Sequence, residues 1–337
     1  MASVFKYKDR WRAQVRVKGK NKSKLFDTRR EATKWANEME QAFERSARFG
    51  EAYQRPFADA LRRYAKEVSH TKKTGHKEQH YLLTMAGDLD KAPDELAMVS
   101  LSELSARHFA SWRDRRLKEV SAGSVLREWS MLSAVCKKCV TDWEWLQSNP
   151  MQNVQRPKVP KPRERRVMGD ELERIVFCSG YDVERPPVTI VNRVGAAVLF
   201  AVETAMRAGE IVNLSWDDVD IDQRTLFIPV SKNGSARTVP LSKKAIAILE
   251  HLQQVKFPQN RCFGLTSRQL DSNYRKIRTM AAVDGLRFHD LRREALTRLA
   301  KKVDVMTLAK ISGHRDLRIL QNVYYAPNMA DFADKLD

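Results

Sequence analysis

The sequence predicts an α+β protein, mainly α, with β-structure confined to a small N-terminal sheet and one late hairpin. Three observations predict it. From Val4 to about Phe26, apolar and polar residues alternate with the period of a strand in "VFKYK", "RWRAQVRVKG" and "KSKLF". From about Pro56 the apolar period lengthens to that of a helix, as in "PFADALRRYAKEV" and "SAGSVLREWSMLSAVCKKCVTDWEWL". Strand texture returns in "TLFIPVSKNGSARTVPL", where two apolar runs flank the turn signal Lys232-Asn233-Gly234.

Taken in order, the first stretch breaks at Asp9-Arg10 and at Gly19 to Asn21, which makes a small antiparallel sheet. Its polar positions are nearly all cationic (Lys6, Lys8, Arg10, Arg12, Arg16, Lys18, Lys20, Lys22, Lys24), so one face or rim is expected to be strongly positive. "TRRE" sets a capping box, Thr28 as N-cap with Glu31 at N3, and opens a helix through Trp35, Met39 and Phe43 that can cover the sheet. This sheet plus helix is domain 1–50. A helical domain, 51–153, ends after Asn149-Pro150. In the linker 154–166, "VQRPKVPKPRERR", prolines forbid regular helix, and cations including Arg156, Lys158 and Lys161 suit a strap along a nucleic-acid backbone. The last domain, 167–337, is mostly helical and carries the hairpin. No internal repeat or low-complexity tract is seen.

The chain has 337 residues, of which 42% are hydrophobic, enough for two or three domains with their own cores. Its 61 Lys+Arg against 42 Asp+Glu leave a net charge of +19, which implies a polyanionic partner. Nucleic acid is the first candidate. A membrane surface is the second, but the longest apolar run, "VGAAVLFAV" from Val194 to Val202, is about half of what a bilayer span needs, so no transmembrane helix is expected. The N-terminal "MASVFKYKDRWRAQ" has no apolar signal core, which makes the cytoplasm the expected location. Cys136 and Cys139 have the spacing of half a zinc site, yet Cys178 and Cys262 supply no second pair, so a helix face is the preferred reading. His76 and His80, at i and i+4 in "HTKKTGHKEQH", read better as a phosphate-facing helix than as metal ligands.

Four stretches carry chemistry. In "AVETAMRAGEIVNLSW", Arg207 lies where a buried helix is expected to give way, at Ala208-Gly209, to a second one. A cation there suits a cleft better than a core, and Glu210 can orient it by a charge-assisted hydrogen bond. As a lone pair the two are more often a structural ion pair. In "GLRFHDLRREALTRLAKK", Phe288, Leu291, Ala295, Leu296 and Leu299 make one apolar face, and His289 and Arg292 stand together beside it at i and i+3. The hairpin holds Lys232. Finally, "GHRDLRILQNVYYAP" has His314 at one end and Tyr324 and Tyr325 at the other; alone, it would read as an amphipathic core edge.

In that order and at those separations, Arg207, a hairpin lysine, His289 with Arg292, His314 after a glycine and a following tyrosine resemble the tyrosine recombinase family, the phage-type integrases. "TAMRAGEI", "VSKNGSARTVPL", "HDLRREALT" and "ISGHRDLRILQNVYY" are similar to its motif boxes, and the match covers the whole third segment. The resemblance implies an arm-type DNA-binding domain, a core-binding domain and a catalytic domain. It implies further that Arg207 and Arg292 neutralise the charge of a pentavalent phosphorus, which a planar guanidinium does bidentately. His289 and His314 would donate to the phosphate or manage the tyrosine proton. Lys232 would protonate the departing 5′ hydroxyl, and Tyr324 would be the nucleophile. No cofactor, ATP or metal is implied.

Two departures from the family are visible. Ser312 precedes the glycine where leucine or a small residue is common, a change expected to matter little. His314 to Tyr324 is one residue longer than usual, which puts Val323 at the usual tyrosine position and leaves Tyr325 as the alternative nucleophile. The expected partners are double-stranded DNA attachment sites and three further copies in a homotetramer on DNA, from a monomer in solution. Met329, Phe332 and Leu336 form an apolar stripe for docking on a neighbouring protomer. DNA-bending and directionality factors stay open, as do two other readings: a resolvase-type tyrosine recombinase, and an inactive DNA-binding regulator of the same fold.

Overall fold

The computed structural model describes residues 2–17, 20–49, 54–73, 75–160, 163–229 and 236–323. Lys18, Lys161, Lys232, Tyr324, Tyr325 and the stripe Met329, Phe332 and Leu336 lie outside the described residues. The chain is mainly helical with two small antiparallel sheets, and it divides into two compact units, Met1–Pro162 and Arg163–Asp337.

In the first unit, β1 (Ala2–Tyr7), β2 (Arg10–Val17) and β3 (Lys20–Phe26) form one sheet in that order. Helix α1 (Arg29–Phe49) covers the face bearing Trp11, Ala13 and Val15, with Ala32 and Ala36 buried against it. Its capping box is formed: the Glu31 N–H donates to Thr28 Oγ1 at 3.3 Å, and that hydroxyl donates to Glu31 Oε2 at 3.0 Å. The described cations of the sheet divide between its two faces. Lys6 pairs with Trp11 and Lys24 with Ala13, and cross-strand partners share a face, so Lys6, Lys22 and Lys24 fall on the covered side. Arg10, Arg12 and Arg16 fall on the open side, together with exposed Phe5, Tyr7 and Leu25.

The same unit contains α2 (Phe57–Glu67), α3 (Gly75–Ala86), the single turn α4 (Glu95–Met98), α5 (Ala106–Glu119) and α6 (Ala122–Thr141). Phe57, Phe109, Trp112 and Trp129 fill their core, each large side chain contributing roughly 1.5–3 kcal/mol. Cys136 and Cys139 are buried in it, and burial pushes the Cys139 thiol up to about 12. Helix α6 stops five residues short of the apolar run read from the sequence. Glu144 takes a left-handed backbone (φ 51°), and Trp143 and Trp145 lie under the Arg63 guanidinium at 4.6 and 4.9 Å. In the proline-rich stretch that follows, Met151 and Val154 are buried, while Arg156 and Lys158 are exposed.

The second unit is built around α8 (Ile190–Thr204), whose apolar run from Val194 to Val202 is almost wholly buried. A helix apolar on all sides must be enclosed. It is packed by α7 (Glu171–Ser179), α10 (Lys243–Gln253), α11 (Ser267–Met280) and α12 (Phe288–Leu299). The short α9 (Ala208–Asn213) leads to a sheet ordered β4 (Val219–Asp220), β5 (Thr225–Ile228) and β6 (Arg237–Pro240). Strands β5 and β6 are the anticipated hairpin; β4 was not anticipated. Helices α13 (Val305–Ser312) and α14 (Leu317–Val323) close the described chain, and Leu308 and Leu320 are buried with Ala295 and Leu296 of α12. Among the described residues no helix is long and apolar enough to cross a membrane.

Candidate active site

The site begins where α8 ends. Its C-cap, Ala205, has a left-handed backbone (φ 55°), so the chain turns there and not at Ala208-Gly209 as the sequence suggested. Arg207 becomes the N-cap of α9. Its N–H donates to Glu210 Oε2 at 2.8 Å, and its guanidinium donates to Glu210 Oε1 at 2.9 Å. The turn thus leaves Arg207 a quarter exposed while Glu210 is nearly covered.

A second guanidinium shares that carboxylate. Arg237, the first residue of β6 and 8% exposed, donates to both Glu210 oxygens at 3.0 and 2.6 Å, and its Nε donates to the Ile311 carbonyl at 2.9 Å. Burial alone would lift the Glu210 carboxyl, but the bonds from Arg237 and Arg207 outweigh it and hold the group below the ordinary carboxylate range.

Helix α12 supplies His289 and Arg292, with Leu291, Ala295 and Leu296 anchoring the helix in the core. Arg292 is only 3% exposed. It donates to the carbonyls of Ala205 and, at 2.6 Å, of Ser312. Ala205 follows the last turn of α8, and Ile311 and Ser312 close α13. The buried guanidiniums are therefore held by the negative ends of two helix dipoles, where unpaired carbonyls are available.

His314 follows Gly313, the C-cap of α13, whose φ of 69° is left-handed. A Cβ there would lie 3.1 to 3.3 Å from Arg237 side-chain atoms, so both the backbone and the neighbour call for glycine. His314 Nδ1 sits 2.7 Å from the hydroxyl of fully buried Ser312. Ser312 thus does more than the sequence had suggested: its hydroxyl contacts one nitrogen of the His314 ring. Burial first, then Arg292, Arg207, Arg237 and His289, lower His314 to about 4. His289 keeps an exposed edge, yet desolvation of its ring, then Arg292 and Arg207 against the opposing pull of Asp290, lower it as well. Both imidazoles are neutral at pH 7, in a site whose field is positive.

Arg207, Glu210, His289, Arg292 and His314 therefore meet, although they come from three separate stretches of chain. Arg237 was missed by sequence reasoning. The available signal was strand parity, since in "RTVPL" it alternates with Val239 and Leu241 and so faces inward with them. No periodicity marks Ser312. Elsewhere, Arg12 of the N-terminal sheet lies 5.5 Å over the Tyr7 ring, and Arg10 makes an exposed pair with Asp27 at 3.0 Å. Of the basic strap, Arg163, Arg165 and Arg166 are engaged by Asp290, Glu171 and Glu294.

Three arginines and two imidazoles thus form one positively charged cluster on a mostly helical unit. Comparison with known proteins narrows this. Residues 166–331 match the model of the phage integrase family. A putative integrase/recombinase of Haemophilus influenzae is 49% identical over 336 residues, covering 98% of this chain and 89% of its own. A shufflon-specific DNA recombinase of Escherichia coli is 32% identical over 272 residues, covering 78% and 67%. Among solved structures, lambda integrase in a dimer bound to a core site has a TM-score of 0.66 at 18% identity, covering 96% of this chain and 94% of that one. Lambda integrase in a tetramer bound to a Holliday junction has a TM-score of 0.65, also at 18% identity, covering 94% and 92%. The chain belongs to the phage integrase family of tyrosine recombinases.

Proposed function

We propose that the protein is an integrase that cuts and rejoins double-stranded DNA at attachment sites through a covalent 3′-phosphotyrosyl intermediate, inserting or excising a mobile element. The observation that carries this reading is the arginine cluster: Arg207 and Arg292 are locked by Glu210 and by helix-end carbonyls beside two neutral histidines. Such groups need no reorganisation when charge develops on the nonbridging oxygens, which is where preorganised donors accelerate most. The tyrosyl oxygen attacks phosphorus as its proton passes to His289 or His314, the bond to the 5′ oxygen breaks, and that oxygen leaves as a hydroxyl with a proton from Lys232. The 3′-phosphotyrosine keeps the bond energy for rejoining. By analogy with the lambda integrase assemblies on DNA, the working form is a homotetramer on two sites, with exposed Arg156 and Lys158 and the N-terminal sheet as DNA contacts.

Helix α14 runs from Leu317 to Val323, directly up to Tyr324, and buried Leu320 anchors it. We assign Tyr324 as the nucleophile, because "NVY" repeats the apolar-residue-then-tyrosine step of the family and Tyr324 is only one residue off the usual spacing from His314. On a nicked suicide substrate, Tyr324→Phe should abolish the gel-stable protein–DNA adduct while leaving binding intact, and Tyr325→Phe should retain it. The reverse pattern assigns Tyr325. No adduct with the unmodified protein would leave a DNA-binding regulator as the reading.

A further inference from the structure

We propose that Arg237 is a positioning residue for the cleavage reaction: it sets Arg207, the Gly313–His314 turn and the base of the lysine hairpin in one register. The proposal rests on the recombinase reading above and assigns a task within that site.

Three contacts carry it. The Arg237 fork takes both oxygens of Glu210, the same carboxylate that holds the Arg207 backbone and guanidinium. Its Nε binds the Ile311 carbonyl, and the flank of its side chain lies against Gly313, so the turn leading to His314 is seated on it. It opens β6, the return strand of the hairpin, five residues after Lys232. One side chain, 5% exposed, therefore touches the partner of the first catalytic arginine and the turn that presents the second histidine, and it begins the strand behind the lysine.

Charge adds a second reason. Glu210 and Arg207 alone would be a neutral pair, and an incoming phosphate would have to compete with the carboxylate for the guanidinium. With Arg237 on the same carboxylate, two positive charges face one negative charge, and Arg207 keeps charge to offer. Lysine cannot replace this, because its ammonium lacks the planar fork that meets two oxygens and a carbonyl together. Arg237 does not itself need to reach the DNA.

The test is the single-turnover rate of adduct formation on the suicide substrate at saturating DNA, with affinity measured separately. Arg237→Lys should cleave slower by about tenfold to a hundredfold, the scale of a small misplacement of catalytic groups, with DNA affinity within about threefold of wild type. Glu210→Gln should lose a similar factor, and the double variant should lose little more than the worse single one, since both act through one linkage. Arg193→Lys is the control: that arginine is also buried but binds the Phe263 and Gly264 carbonyls away from the site, so its rate should stay near wild type. A wild-type rate for Arg237→Lys, or losses that multiply in the double variant, would overturn the proposal. Should Arg237→Lys not fold, Glu210→Gln reads the same linkage from the other side, and a wild-type rate there overturns it equally. If the unmodified protein forms no adduct, the recombinase reading itself has failed, which is a separate outcome.

Discussion

His314 lies among three arginines and a second histidine, with Ser312 on its Nδ1. Its folded pKa, about 4, lies below its ordinary value near 6.5, so the unfolded chain binds the proton more readily. The sign follows directly. Stability from this group is present above pH 6.5 and is lost as pH falls from there toward 4. Urea unfolding of wild type and His314→Gln at pH 7.5 and pH 4.5 should therefore show the wild type losing more stability on acidification. Equal losses would mean that the ring is not shielded from protonation in the fold.

At the scale of elements, the site is a meeting of helix ends. Helices α8 and α13 both terminate in left-handed residues, Ala205 and Gly313, and the carbonyls at those ends take the guanidiniums of Arg292 and Arg237. Helix α12 is also held by Arg163 on Asp290 and by Arg166 on Glu294, a carboxylate that takes Arg298 of the same helix as well. Gly313→Ala tests this junction. A left-handed alanine costs about 1–2 kcal/mol, and its Cβ would press on Arg237. Chemical unfolding should register a loss of that size, together with slower cleavage; wild-type stability would show that the turn relaxes freely.

For the molecule as a whole, the net charge of +19 is carried partly by an N-terminal sheet whose open face joins Arg10, Arg12 and Arg16 to exposed Phe5, Tyr7 and Leu25. That sheet and α1 have their own small set of buried residues, distinct from the core of α2 to α6. We expect residues 1–50 to bind arm-type DNA sites independently. Deleting them should spare cleavage of a core-site substrate and weaken assembly on a full attachment site, as read by gel shift on both substrates. Equal loss of both activities would count against a separate arm-binding role. The charge makes all such binding salt-dependent, so both substrates must be compared at one ionic strength.

Residue periodicity and turn chemistry determined the element types, the Thr28–Glu31 capping box and the order of Arg207, His289, Arg292 and His314, because these depend on neighbours a few positions apart. The face each sheet cation occupies, the break at Ala205 and the stop of α6 at Thr141 were decided by pairing register and backbone conformation, which local composition constrains weakly. Arg237 and Ser312 became part of the site only through contacts that span 27 residues or that depend on burial. Strand parity can turn Arg237 inward, but it cannot name a partner that lies in another element. Only the packing of α8, α12, α13 and the hairpin could show that one buried arginine joins the first arginine of the site to its second histidine.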